Sequence, residues 1–191
     1  MVKIKELRVL AARAAPGNDD EKKLVKEISE VNLPANQIFM IYESLSYSSS
    51  KVDGVLKMKL LSRDEPYGFW IKQLDKFPSF RPEILYRIAE KAETTEQCSP
   101  VYEQSWGLPA YAFSVEKAID LASSPASLRI LVLASNKIPP GTPWFHHIWK
   151  KVVKMAPEMS DEDIKFFHDQ AISKPTKDFL KDLLQSKQAG Q

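Results

Sequence analysis

Cysteine, histidine and serine are the side chains with which a chain of this size would attack a carbonyl, hold a metal or pass a proton. Cys98 is the single cysteine, in the stretch TTEQCSP, which matches no nucleophile motif. The histidines are His146, His147 and His168. Neighbouring residues on a helix point about 100° apart, so His146 and His147 make a poor chelating pair there. Ser48 and Lys51 have a Ser-x-x-Lys spacing, but within a run of three serines and with no companion motif. The six glycines, Gly17, Gly54, Gly68, Gly107, Gly141 and Gly190, are too widely spaced to build a dinucleotide fingerprint or a phosphate-cradling loop. The carboxylates fall on amphipathic helix faces or in turns, where solvation is their default role. The expectation is therefore no catalytic residue, no metal and no cofactor.

A different chemistry stands out between Leu121 and Pro157. That window holds no Asp or Glu, while Arg129, Lys137, Lys150, Lys151 and Lys154 supply positive charge. In a chain with 25 acidic residues in 191, such a gap points to a local basic surface. Thr142 and Pro143 suit an N-cap and first turn, and Pro157 limits the helix WFHHIWKKVVKMA. At 100° per residue, Trp144, Phe145, Ile148, Trp149, Val152, Val153, Met155 and Ala156 share one half of the wheel. His146, His147, Lys150, Lys151 and Lys154 share the other. This composition fits a helix lying on an anionic membrane, with Trp144, Phe145 and Trp149 as interface aromatics. It equally fits a packed helix with a basic outer face. A nucleic-acid reading would add Lys57 and Lys59, with Tyr102, Trp106 or Tyr111 to stack bases; no standard RNA-binding signature accompanies them.

The elements that must position these residues read as mixed. Helices are expected near the N-terminus, after Asp19 and Asp20, over PEILYRIAEKA, over 115–122, over 144–156, and from Ser160 and Thr176. Strands are expected over IFMIY at 38–42, over a hairpin pairing 45–47 with 55–61, over FWI, near 102–106 and 111–113, and over 128–133. In 55–61 the alternation of Leu56, Met58 and Leu60 with Lys57 and Lys59 describes a sheet with one wet, basic face. TTEQCSP reads as a loop. The fold class expected is α+β: one compact domain with a small, mostly antiparallel sheet packed by helices and a helical C-terminus. Residues 1–18 would form an N-terminal helix or arm, 19–159 the core, and 160–191 helices packed on or appended to it.

The bulk numbers bound the function. A chain of 191 residues with 43% apolar and 27% charged residues has enough apolar content for a core. A net charge of +2 creates no global field for polyanions, so anion binding must be local. No apolar run approaches the ~20 residues of a transmembrane helix. One cysteine fits a reducing, intracellular compartment, cytoplasmic with peripheral membrane association as an option. Residues 1–16 have some features of a transit segment, against which Glu6 and the lack of serine count.

The reading is a non-catalytic binding or assembly protein. Its basic residues Arg129, Lys137, His146, His147, Lys150, Lys151 and Lys154 would meet a protein partner or a second copy, an anionic membrane surface, or RNA. Small, basic and without catalytic motifs, the chain resembles viral matrix proteins in general type, which implies a structural role. The alternatives are an RNA-binding protein without a standard motif and a small cofactor-independent enzyme. A deep pocket lined by His146, His147 or Cys98 would mark the enzyme.

Overall fold

A computed structural model describes residues 4–104, 109–135 and 142–189, the side chains of 102, 103 and 109 apart. Among the described residues every regular element is helical. They are α1 (Ile4–Arg13), α2 (Asp19–Glu30), α3 (Ala35–Glu43), α4 (Ser50–Leu61), α5 (Tyr67–Gln73), α6 (Arg81–Lys91), α7 (Thr95–Gln104), α8 (Pro109–Leu121), α9 (Pro125–Ser135), α10 (Pro143–Met155), α11 (Asp161–Gln170) and α12 (Lys174–Ala189). Short 3₁₀ turns occupy Pro78–Phe80 and Ala156–Glu158.

The α+β expectation is thus overturned, and burial shows why. Leu56 and Leu60 are buried but Met58 is 74% exposed, a four-residue period that belongs to a helix and not to a strand. The run 55–61 lies within α4 and forms no hairpin. Residues 38–42 lie in α3, and FWI lies in α5. In α9 the buried residues are Ser127, Leu128, Leu131, Val132 and Ser135, again at helical spacing, while Leu133 is 52% exposed. A continuous apolar run of five or six residues does not distinguish a buried strand from a buried helix segment. TTEQCSP is mostly helical, within α7, and residues 111–122 are covered largely by α8, so Ser114 is an interior residue and not a cap. Of the extended piece expected near Trp106, residues 102–104 belong to α7, and Trp106 lies outside the described residues.

Proline begins many of these helices. Pro34 and Pro66 take the N-cap positions of α3 and α5, and Pro125 and Pro143 open α9 and α10, where the missing N–H costs nothing. Polar caps begin others: Asn18 for α2, Ser49 for α4, Thr142 for α10 and Ser160 for α11, each accepting a backbone N–H three residues on.

The chain divides into two compact units, 1–87 and 88–191, and the division falls inside α6. In the first unit α1 packs on α2 and α3, and α4 on α2 and α3. An aromatic cluster completes it: Phe39 stacks on Phe77 at 4.1 Å and meets Phe80 edge-on at 5.7 Å, and Tyr42 meets Phe80 at 4.6 Å. Buried Arg87 lies 5.7 Å from the Trp70 ring centre and donates to the Arg63 carbonyl. In the second unit α7 packs on α8 and α9, α10 on α8, α9 and α12, and α11 on α9 and α12. Sequence reading, which drew boundaries near 18 and 159, had no turn to mark a division at 87.

Candidate partner-binding face

Helix α10 starts where the sequence places it. Thr142 Oγ1 accepts the Phe145 N–H at 3.4 Å, and Pro143 occupies the first turn. Its buried side is Phe145, Ile148, Trp149 and Val152, at helical spacing against α8, α9 and α12. Trp144 is partly exposed and meets Tyr111 edge to face at 5.5 Å. The aromatics expected at a membrane interface therefore stand mostly inside the second unit. Trp149 Nε1 is buried without a hydrogen-bond partner among the described residues.

His146, His147, Lys150 and Lys154 are exposed on the opposite side. His146, Lys150 and Lys154 recur every fourth residue, which at 1.5 Å rise makes a ridge of three basic groups about 12 Å long. None of the four takes part in a salt bridge among the described residues.

The other basic residues named from the sequence are engaged inside the fold. Lys151 Nζ donates to the carbonyls of Ile119 and Asp120, the latter at 3.1 Å, and so closes the C-terminal turn of α8. Burial holds its ammonium below the usual lysine range, with Asp120 opposing. Arg129 donates to Asp163 from Nε at 3.0 Å, with Nη2 2.7 Å from the same oxygen and 3.8 Å from Glu162. Its guanidinium lies 4.7 Å from the Phe166 ring centre, so it ties α9 to α11. Lys137 lies outside the described residues. The acid-free window is thus partly neutralised by carboxylates that follow it in sequence, a pairing that linear charge counting misses.

The lysines considered for RNA are used in the same way. Lys59 Nζ donates to Ser29 O at 2.7 Å and Val31 O at 3.0 Å, at the end of α2, and Lys57 pairs with Glu83 at 3.7 Å. Tyr111 is buried. Cys98 is buried, and desolvation pushes its thiol up to about 11. It does not share a surface with His146 and His147, which face solvent. His168 Nδ1 lies 3.2 Å from Asp169. Among the described residues no group of three or more His, Cys, Asp or Glu side chains is placed to hold a metal, and no helix is long and apolar enough to cross a membrane.

Sequence reading missed a second feature, in the first unit. A hollow of about 320 Å³ is lined by Tyr42, Glu43, Leu45, Ser46, Tyr47, Ser48 and Asp53. It is built by the last turn of α3, the connection that follows and the first turns of α4. Read from the sequence, its residues belong to the end of a strand at 38–42, a hairpin arm at 45–47 and the polar loop that follows, with no site among them.

Comparison of the chain with protein-family models, with curated proteins and with solved structures finds no match.

Proposed function

We propose that this chain is a non-catalytic binding or assembly protein whose α10 ridge docks on an acidic protein surface. The observation that carries the reading is the set of four exposed basic side chains, His146, His147, Lys150 and Lys154, which form no salt bridge among the described residues while Arg129, Lys151, Lys57 and Lys59 are all engaged.

The choice among anionic partners rests on what accompanies the charge. Insertion into a bilayer interface needs exposed apolar residues on the docking helix, and Phe145, Ile148, Trp149 and Val152 are buried. Single-stranded RNA binding draws on exposed aromatic faces for stacking, and the aromatics of α10 itself, Trp144, Phe145 and Trp149, are partly or wholly buried. Short clusters of Lys and His are well matched to carboxylates at the polar rim of a protein interface.

Calorimetric titration of the full chain with a glutamate-rich peptide at low and at 0.5 M salt tests this. Binding that salt weakens and that Lys150→Glu with Lys154→Glu abolishes is expected. Equal binding by the double variant, with an unchanged circular dichroism spectrum, sinks the reading. Vesicles rich in phosphatidylserine and single-stranded RNA serve as the competing ligands, and stronger ridge-dependent binding to either would replace the protein partner.

A further inference from the structure

We infer that the acidic partner of the α10 ridge is a second copy of this chain, and that the ridge of one copy docks at the Tyr42–Asp53 hollow of the next. The inference rests on the reading of the ridge given above and names its partner.

The hollow is chemically complementary to an ammonium group. Glu43 and Asp53 supply two carboxylates, Tyr42 and Tyr47 two aromatic rings, and Ser46 and Ser48 hydroxyl oxygens, with no Lys or Arg in the lining. Neither carboxylate has a salt bridge among the described residues. Oδ1 of Asp53 is buried and accepts no hydrogen bond among the described residues, so the carboxylate beside the hollow is short of donors. The backbone nearby does not meet that need, because Ser49 Oγ already takes the Val52 N–H at 3.3 Å. Glu43 closes α3, whose C-terminal carbonyls add partial negative charge on the same side. Tyr47, 56% exposed, offers a ring face at the rim to a cation.

The ridge carries the matching donors. A lysine ammonium has three N–H groups and no acceptor, and Lys150 and Lys154 stand one helical turn apart, about 6 Å. That spacing lets one enter the hollow while the other faces a rim carboxylate. Ridge and hollow are different patches, so two copies either pair reciprocally in a two-fold dimer or meet head to tail. In the head-to-tail case copies add in series unless the rotation between them closes a ring.

Sedimentation velocity on the full chain over a hundredfold concentration range, at low and at 0.5 M salt, is the test. The wild type is expected to gain mass with concentration at low salt and to lose that gain at high salt. Lys150→Glu with Lys154→Glu, and separately Glu43→Lys with Asp53→Asn, should each abolish self-association. A mixture of the two double variants should restore it, because each supplies the charge the other lacks. Asp53→Asn alone, nearly isosteric, keeps the test valid if the double change at the hollow disturbs folding, and it should weaken association at least tenfold. A wild type that stays monomeric throughout overturns the inference, as does a mixture that fails to associate when both variants are folded. If the ridge variant loses the glutamate-rich peptide while self-association is unchanged, the ridge reading stands and the hollow is not its partner. If it keeps both, the ridge reading falls as well.

Discussion

Glu21 shows how one residue of this fold combines several tasks. It is buried, yet its carboxylate accepts the Gly17 N–H at 2.8 Å and the Ser49 hydroxyl, while its own N–H is capped by Asn18 at 2.7 Å. Gly17 holds the one positive φ among the described residues, +87°, which a side chain would strain by about 1 kcal/mol. The Ser49 and Gly17 donors hold the Glu21 carboxyl below the usual carboxylate range. A depressed acid stabilises the fold above its unfolded-state pKa, and that contribution disappears as pH falls through the folded-state value. Ser49→Ala removes both the α4 cap and the strongest of these donors. A loss of about 1 to 2 kcal/mol at neutral pH is expected, together with a shallower decline of stability below pH 5, read by urea denaturation across pH. Cys98 has the opposite sign. Its thiol, raised from 9.0 to about 11, stays protonated in the folded chain while the unfolded chain ionises. Its contribution to stability should therefore fall as pH rises from 9 to 11, and Cys98→Ala should remove that share of the slope. Thiol-reactive dye should label Cys98 in denaturant and not in the native protein at pH 8.

At the scale of the element, this chain ends helices with lysines from other helices. Lys59 closes α2, Lys151 closes α8, and Lys117 donates to Glu90 O in the last turn of α6. Lys187 likewise reaches Met159 O after the second 3₁₀ turn. Glycine is the usual residue at such ends, and with six glycines in 191 residues the ammonium supplies the missing donors. Lys150 and Lys151 are therefore adjacent but different. Lys151→Met should cost about 1 kcal/mol and raise hydrogen exchange in the last turn of α8. Lys150→Met should change stability by less than about 0.5 kcal/mol while weakening any partner bound through the ridge. Equal effects of the two substitutions on exchange would show that the Lys151 cap carries no energy. The same distinction marks how far the sequence could be read. The α10 boundaries, its two faces and the Ser160 cap were legible because caps and the 3.6-residue period are local properties. The engaged state of Arg129 and Lys151 was not, since their partners lie 34 and 31 to 32 residues away. The helices α3 and α9 were misread for a related reason: short, nearly unbroken apolar runs show no clear period until burial reveals one, whereas in α4 Lys57 and Lys59 set up a false two-residue alternation.

For the molecule as a whole, the unit boundary falls inside a helix, between Arg87 and Ile88. Helix α6 places Ile84 and Leu85 in the first unit and Ile88 and Ala89 in the second, all of them buried. Helix formation is cooperative along the chain, because each added residue relies on the turn before it. Unfolding of either unit would thus remove the packed face from half of a continuous helix and leave the other half with a frayed end. The two units are expected to melt together for this reason, although each has its own core. Leu24→Ala in the first unit and Ile148→Ala in the second remove fully or almost fully buried side chains and should each cost about 2 to 5 kcal/mol. Calorimetry should show one transition that both substitutions lower, with the calorimetric and van't Hoff enthalpies in agreement. Two transitions, one moved only by Leu24→Ala and the other only by Ile148→Ala, would mean that α6 breaks between Arg87 and Ile88. In that case exchange at the amides of 85–89 would be faster than in the rest of the helix.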